Sequence, residues 1–125
     1  MEGFKTSIKE VSKDLTARER IMLKDTSNAV KLDEAANGET PLVITPVVYA
    51  VLDIHNEKSD NKDYENYIIV DANGTKYVTG SPSFWTSFME IWTEMADEEE
   101  TYSLEVYKKD SKNYKGKKFL TCSII

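Results

Sequence analysis

Between Val47 and His55 the chain alternates: Val48, Ala50, Leu52 and Ile54 share one apolar face, and Val47, Tyr49, Val51, Asp53 and His55 share the other. A period of two over this stretch predicts a half-buried strand, and Pro46 in front of it marks a break or an edge position. A polar loop, 56–63, follows. Then Tyr67–Asp71 and Thr75–Thr79 flank Asn73-Gly74. Asn-Gly suits the two central positions of a type I′ turn, which both need positive φ. A two-residue turn there sets Asp71 opposite Lys76 and Val70 opposite Tyr77, a charge pair and an aromatic/β-branched pair. In that register Tyr67 and Tyr77 fall on opposite faces, and Ile68/Val70 and Ile69/Val78 are alternative inward sets.

The period then changes from two to 3.6. Ser81 can cap a helix with Pro82 at its first position. Phe84, Trp85, Phe88, Met89, Ile91, Trp92, Met95 and Ala96 recur at helical spacing, so a helix over 82–96 buries one broad face. Asp97–Glu100 ends it, because acids oppose the dipole at a helix C-terminus. Alternation returns in 102–107, with Leu104 and Val106 inward, and in 119–125, with Leu120, Cys122 and Ile124 on one side. Toward the N-terminus, Ser7/Glu10 and Thr16/Glu19 both fit a capping box. They predict short helices over 8–14 and 17–24, with Asn37-Gly38 as a closing turn.

From residue 42 the order is strand, strand, strand, helix, strand, strand. That order suits a mainly β fold, the five-stranded oligonucleotide/oligosaccharide-binding (OB) barrel with one capping helix. The expected organisation is a helical or irregular extension over 1–40 and a barrel over 41–125.

Composition narrows function by subtraction. With 125 residues the chain has the size of one domain and can bury a core without staples. One Cys and one His leave no intrachain disulfide and no multi-His or Cys-only metal site. No Gly-rich phosphate loop or nucleophile elbow is present, so neither an enzyme nor a cofactor is expected. No apolar run reaches the roughly 20 residues of a membrane helix. Met1–Lys5 has no apolar stretch of a secretory signal, and the expected location is the cytoplasm.

Charge changes the picture more. The net charge is −6, yet residues 61–107 carry 2 basic and 10 acidic groups, while 108–118 carry six lysines and one aspartate. A local positive field can hold a polyanion on an acidic protein, because exposed charges are screened beyond about 10 Å. Alternatively, these lysines form a solvated hairpin that keeps an edge from aggregating. The basic segment joins the last two strands and 56–66 joins the first two. In an OB-fold those two loops clamp a nucleic-acid strand.

The stretch Tyr77-Val78-Thr79-Gly80-Ser81, with Phe84-Trp85 and Phe88 after it, resembles small single-stranded DNA-binding proteins of tailed bacteriophages. So does Ser111-Lys112-Asn113-Tyr114-Lys115-Gly116-Lys117-Lys118-Phe119-Leu120-Thr121-Cys122. The resemblance covers roughly 42–125. It implies an OB-fold, sequence-nonspecific binding of single-stranded DNA, and a role in phage replication or recombination in the host cytoplasm. Replication or recombination proteins and further copies of the chain are the other partners it suggests. Many such proteins end in an acidic tail that recruits partners; this chain ends Cys122-Ser123-Ile124-Ile125, so recruitment through such a tail is not expected.

Binding a single strand takes cations for phosphates and flat faces for bases, each stack being worth about 1–3 kcal/mol. The candidate cations are Lys76, Lys109, Lys112, Lys115, Lys117 and Lys118. The candidate platforms are Tyr114, set among the lysines, and Tyr49, Tyr67, Tyr77 and Tyr107 on the strands. Tyr114 could equally fold over the lysine stems. Trp85 and Trp92 lie on the apolar helix and are expected in the core. Asp53, His55 and Glu57 alternate on one strand, about 7 Å apart, too far to close on one ion. The rival function is an adaptor or inhibitor that binds a host protein through the same barrel, using the acidic surface.

Overall fold

The computed structural model describes residues 4–25, 27, 29–36, 41–57, 63–96, 98, 101–110 and 118–125. The expected Asn37-Gly38 turn, Asp97, Glu99, Glu100 and most of the lysine-rich hairpin lie outside these residues.

The strands are β1 (Phe4–Val11), β2 (Val30–Lys31), β3 (Leu42–Ile44), β4 (Pro46–Asn56), β5 (Asp63–Asp71), β6 (Lys76–Thr79), β7 (Leu104–Asp110) and β8 (Lys118–Ile124). The helices are α1 (Ala17–Lys24), α2 (Leu32–Ala35) and α3 (Pro82–Met95). One sheet has the order β1-β4-β5-β6-β2 and the other β3-β7-β8. The fold is thus mainly β, and the strand and helix order from residue 46 onward matches the expectation. A closed five-stranded barrel is not found: β6 has β5 on one side and β2, in parallel, on the other, which leaves it no edge for β8. No helix among the described residues is long and apolar enough to cross a membrane.

Residues 8–14 are not a helix. Phe4–Val11 pair antiparallel with β4, and the register slips between Ile8 and Glu10. The bulge at Lys9 sets Ile8 opposite Leu52 and Val11 opposite Ala50. Two residues three apart, a helical spacing, thereby reach the same sheet face. Both pack against the cluster of Leu23, Ala50, Leu52, Ile54, Ile68 and Val78. The second capping box does start a helix: Thr16 Oγ1 accepts from Glu19 N–H at 3.2 Å, and Thr16 N–H donates to the Glu19 carboxylate at 3.0 Å. The N-terminal residues therefore do not form a helical extension but add strands β1 and β2 to the larger sheet.

β4 is buried on both faces from Val48 to Leu52 rather than half-buried throughout. Ala50, Leu52 and Ile54 face α1, while Tyr49 faces α3. α3 supplies Phe84 and Phe88 to a second cluster that also takes Ile44, Leu104, Val106, Leu120 and Cys122 from the smaller sheet. The layers are α1, the larger sheet, then α3 with the smaller sheet. Ser81 Oγ caps α3 by accepting from Phe84 N–H at 3.2 Å.

The chain crosses between sheets at Thr45, where β3 ends and β4 begins, and Asp71 pins that corner. Its carboxylate is buried and accepts from Thr45 N–H at 3.2 Å, and Thr45 carbonyl oxygen accepts from Ala72 N–H at 2.9 Å. This use of Asp71 goes with a different hairpin register. Val70 faces Lys76 and Ile69 faces Tyr77. Asp71 carbonyl oxygen accepts from Gly74 N–H, Asp71 N–H donates to Thr75 carbonyl oxygen, and Gly74 has φ +90°. The connection is a three-residue turn that closes on a left-handed glycine, not a two-residue type I′ turn. A one-residue slip exchanges faces: Tyr77 joins Ile69 and Tyr67 on the α3 side, and Val78 joins Ile68 on the α1 side.

Candidate nucleic-acid interface

The expected strand tyrosines mostly face inward. Tyr49 is 7% exposed and sits edge-on to Trp85, Phe88 and Trp92, with ring centroids 5.5, 6.2 and 5.2 Å away. Its hydroxyl donates to the Glu10 carboxylate at 3.3 Å. Burial, then Glu10, raise its pKa above that of an ordinary phenol. Tyr77 is equally buried, in the cluster under α3. Neither can stack on a base. An alternating strand with polar residues at its far end reads as one-sided, but α3 covers the second face wherever that face is aromatic.

Tyr67 is half-buried, and its ring lies flat on Trp85. It borders an open groove lined by Lys5, Asp53, His55, Asp63 and Glu65. Carboxylates outnumber cations there, so a phosphate backbone would be repelled. Lys9 Nζ is committed to Glu65 at 3.0 Å. His55 bridges two acids: Nδ1 lies 2.7 Å from Asp63 Oδ1 and Nε2 lies 2.5 Å from Glu57 Oε1. Carboxylates only accept, so the two contacts are both hydrogen bonds in the imidazolium form, and they favour it. Asp63, then Glu57, raise its pKa above the usual 6.5. A ring held in this way offers no lone pair to a metal ion.

Lys76 does not face solvent phosphate either. Its Nζ donates to the carbonyl oxygens of Met22 and Asp25, at the C-terminal end of α1, where a cation complements the helix dipole and satisfies orphan carbonyls. The expected pair with Asp71 does not form, because Asp71 is turned into the corner.

The remaining candidates gather at one end of the smaller sheet. β7 and β8 pair antiparallel out to Asp110↔Lys118, which brings together the two ends of the segment 111–117. Lys112, Tyr114, Lys115 and Lys117 lie outside the described residues, as does the side chain of Lys118. On the stem, Lys109 faces Phe119 and Tyr107 faces Thr121. These residues share the face opposite Val106, Leu120 and Cys122, by the alternation of strand side chains. Lys109 is exposed, and Tyr107 and Phe119 are partly so. Tyr107 hydroxyl sits 2.7 Å from Ser123 Oγ, which fixes its ring across the strand pair. Phe119 was missed from the sequence, although the inward set Leu120, Cys122 and Ile124 already turns it to the lysine side. On the other edge of β8, Ser83 Oγ donates to Leu120 carbonyl oxygen at 2.9 Å and Ser87 Oγ lies 3.1 Å from Thr121 Oγ1. α3 thus buttresses the stem.

Trp85 and Trp92 pack against the core cluster, as expected. Cys122 is buried, and burial pushes its thiol up to about 12. No protein-family model, no curated protein and no solved structure matches the chain.

Proposed function

We propose that the chain binds single-stranded DNA, with little base preference, through the β7–β8 stem and the lysine-rich segment that joins its strands. The observation that carries this is the grouping of Tyr107, Lys109 and Phe119 on one stem face, leading directly into a segment where residues 108–118 hold six lysines. Cations can hold the phosphates there, and the two rings offer flat faces to bases. The carboxylate-rich groove beside Tyr67 would repel a strand, so the field would orient the ligand as well as attract it.

The reading extends to the fold and setting. β3 and β4 run almost continuously and pair with both sheets, as a long bent first strand does in an OB barrel, so we infer an opened relative of that fold. A binding role in phage replication or recombination, in the host cytoplasm and without a catalytic step, fits the resemblance. The rival is a host-protein adaptor. It draws on a specific observation: Glu10, Asp53, Asp63 and Glu65 collect on the face shared by β1, β4 and β5, and Glu57, just after β4, joins them through His55. Titration of a labelled oligo(dT) in EDTA separates the two. Saturable, salt-sensitive binding supports the first, and its absence supports the adaptor.

A further inference from the structure

Two surfaces away from the hairpin complement each other. On α1, Arg18, Ile21 and Met22 stand at i, i+3 and i+4 and form one stripe. All three are exposed, Ile21 by 67% and Met22 by 61%. Leu23 alone on this helix is buried, so its two other large apolar side chains face solvent. Arg18 and Arg20 are the only arginines in the chain, and Lys24 ends the helix, against the single acid Glu19.

α3 carries the opposite charge. At i+4 spacing, Trp85, Met89 and Thr93 make one row, and Thr86, Glu90 and Glu94 the next. Together they line a shallow groove on the helix surface. α3 has no basic residue, and Glu90 and Glu94 are exposed. The groove is therefore apolar along Trp85 and Met89 and anionic along its outer rim.

We propose that α1 of one copy docks on α3 of a second copy, with Ile21 and Met22 between the two rows and Arg18 against Glu90 and Glu94. Side chains at i and i+4 make ridges that seat in such grooves. A second copy is the occupant that the charges select. The chain is net −6 and repels itself in general, but α1 is a cationic face that an acidic copy can approach. The contact joins two different surfaces, so a pair still has one of each free and association propagates into chains or closes into a ring. It needs no nucleic acid, because neither surface includes residues 108–118.

Light scattering over a range of protein concentrations tests this. The wild-type mass should rise with concentration and fall with added salt. Ile21→Ser/Met22→Ser and, separately, Glu90→Lys/Glu94→Lys should each stay monomeric while melting like the wild type, since all four side chains are exposed. An equimolar mixture of the two variants should give a one-to-one pair and nothing larger, because a single intact α1–α3 contact remains. A wild type that is monomeric throughout, variants that associate as it does, or a mixture that stays monomeric would overturn the proposal.

Discussion

The ring of Tyr67 lies parallel to that of Trp85, with centroids 4.6 Å apart and planes 9° apart. This stack joins β5 to α3 and continues through Trp85–Phe88 at 5.0 Å and Phe88–Trp92 at 5.7 Å, with Tyr49 set edge-on to all three helix rings. The aromatic residues that resemble a base-stacking platform in the sequence thus stack mainly on each other. Such pairs add about 0.5–1.5 kcal/mol beyond the area they bury.

Truncation of these rings should therefore damage stability rather than binding. Tyr49→Ala, at a buried site, is expected to cost about 3–5 kcal/mol, and Tyr67→Ala, half-buried, less. Denaturant unfolding measures both. In variants that remain folded, affinity for oligo(dT) should match the wild type.

Lys76→Met should loosen α1 and leave nucleic-acid affinity unchanged. The ammonium group satisfies two carbonyls at the helix end, a contribution of about 0.5–2 kcal/mol. The lowered stability is read by thermal unfolding, and binding to a labelled oligonucleotide supplies the second measurement.

Several elements were legible in the sequence because one physical cause dominated each. α1 and α3 begin where Thr16 and Ser81 cap them, and β4, β7 and β8 follow their alternation. The misreadings share another cause. β1 looked helical because a bulge at Lys9 places Ile8 and Val11 on one face, a device that alternation cannot reveal. The β5–β6 register slipped because Asp71 is drawn into the corner at Thr45, a tertiary demand that outweighs the local preference of Asn73-Gly74. That slip moved Tyr77 to the side of Tyr67, under α3. Of the candidate interface, the lysine segment and Tyr107 were readable from charge and alternation. The burial of Tyr49 and Tyr77 was not, since it depends on which face a distant helix covers.

Stability should depend on pH through His55. Its folded pKa is raised above 6.5 by Asp63 and Glu57. Its contribution is therefore complete below the unfolded value and is lost as pH rises through the folded one. The denaturant midpoint should fall across that window, and His55→Gln should flatten the profile there.

Cys122 should be inert to thiol reagents in the folded protein. Burial keeps it protonated, with its pKa at about 12, and only the thiolate reacts. Labelling should occur at the rate of opening of the β7–β8 stem and accelerate in denaturant. Rapid labelling in native buffer would contradict the packing of β8 against α3.

The most direct measurement is the salt dependence of oligo(dT) binding by the wild type and by the variant in which Lys112, Lys115, Lys117 and Lys118 are changed to Gln. If about four lysines meet phosphates, log K for the wild type should fall with log[salt] at a slope of roughly −3. The folded variant should bind oligo(dT) and mixed-sequence strands more weakly by similar factors, with a flatter slope. An unchanged affinity and slope in the variant would contradict binding through the hairpin and leave these lysines as a solvated edge.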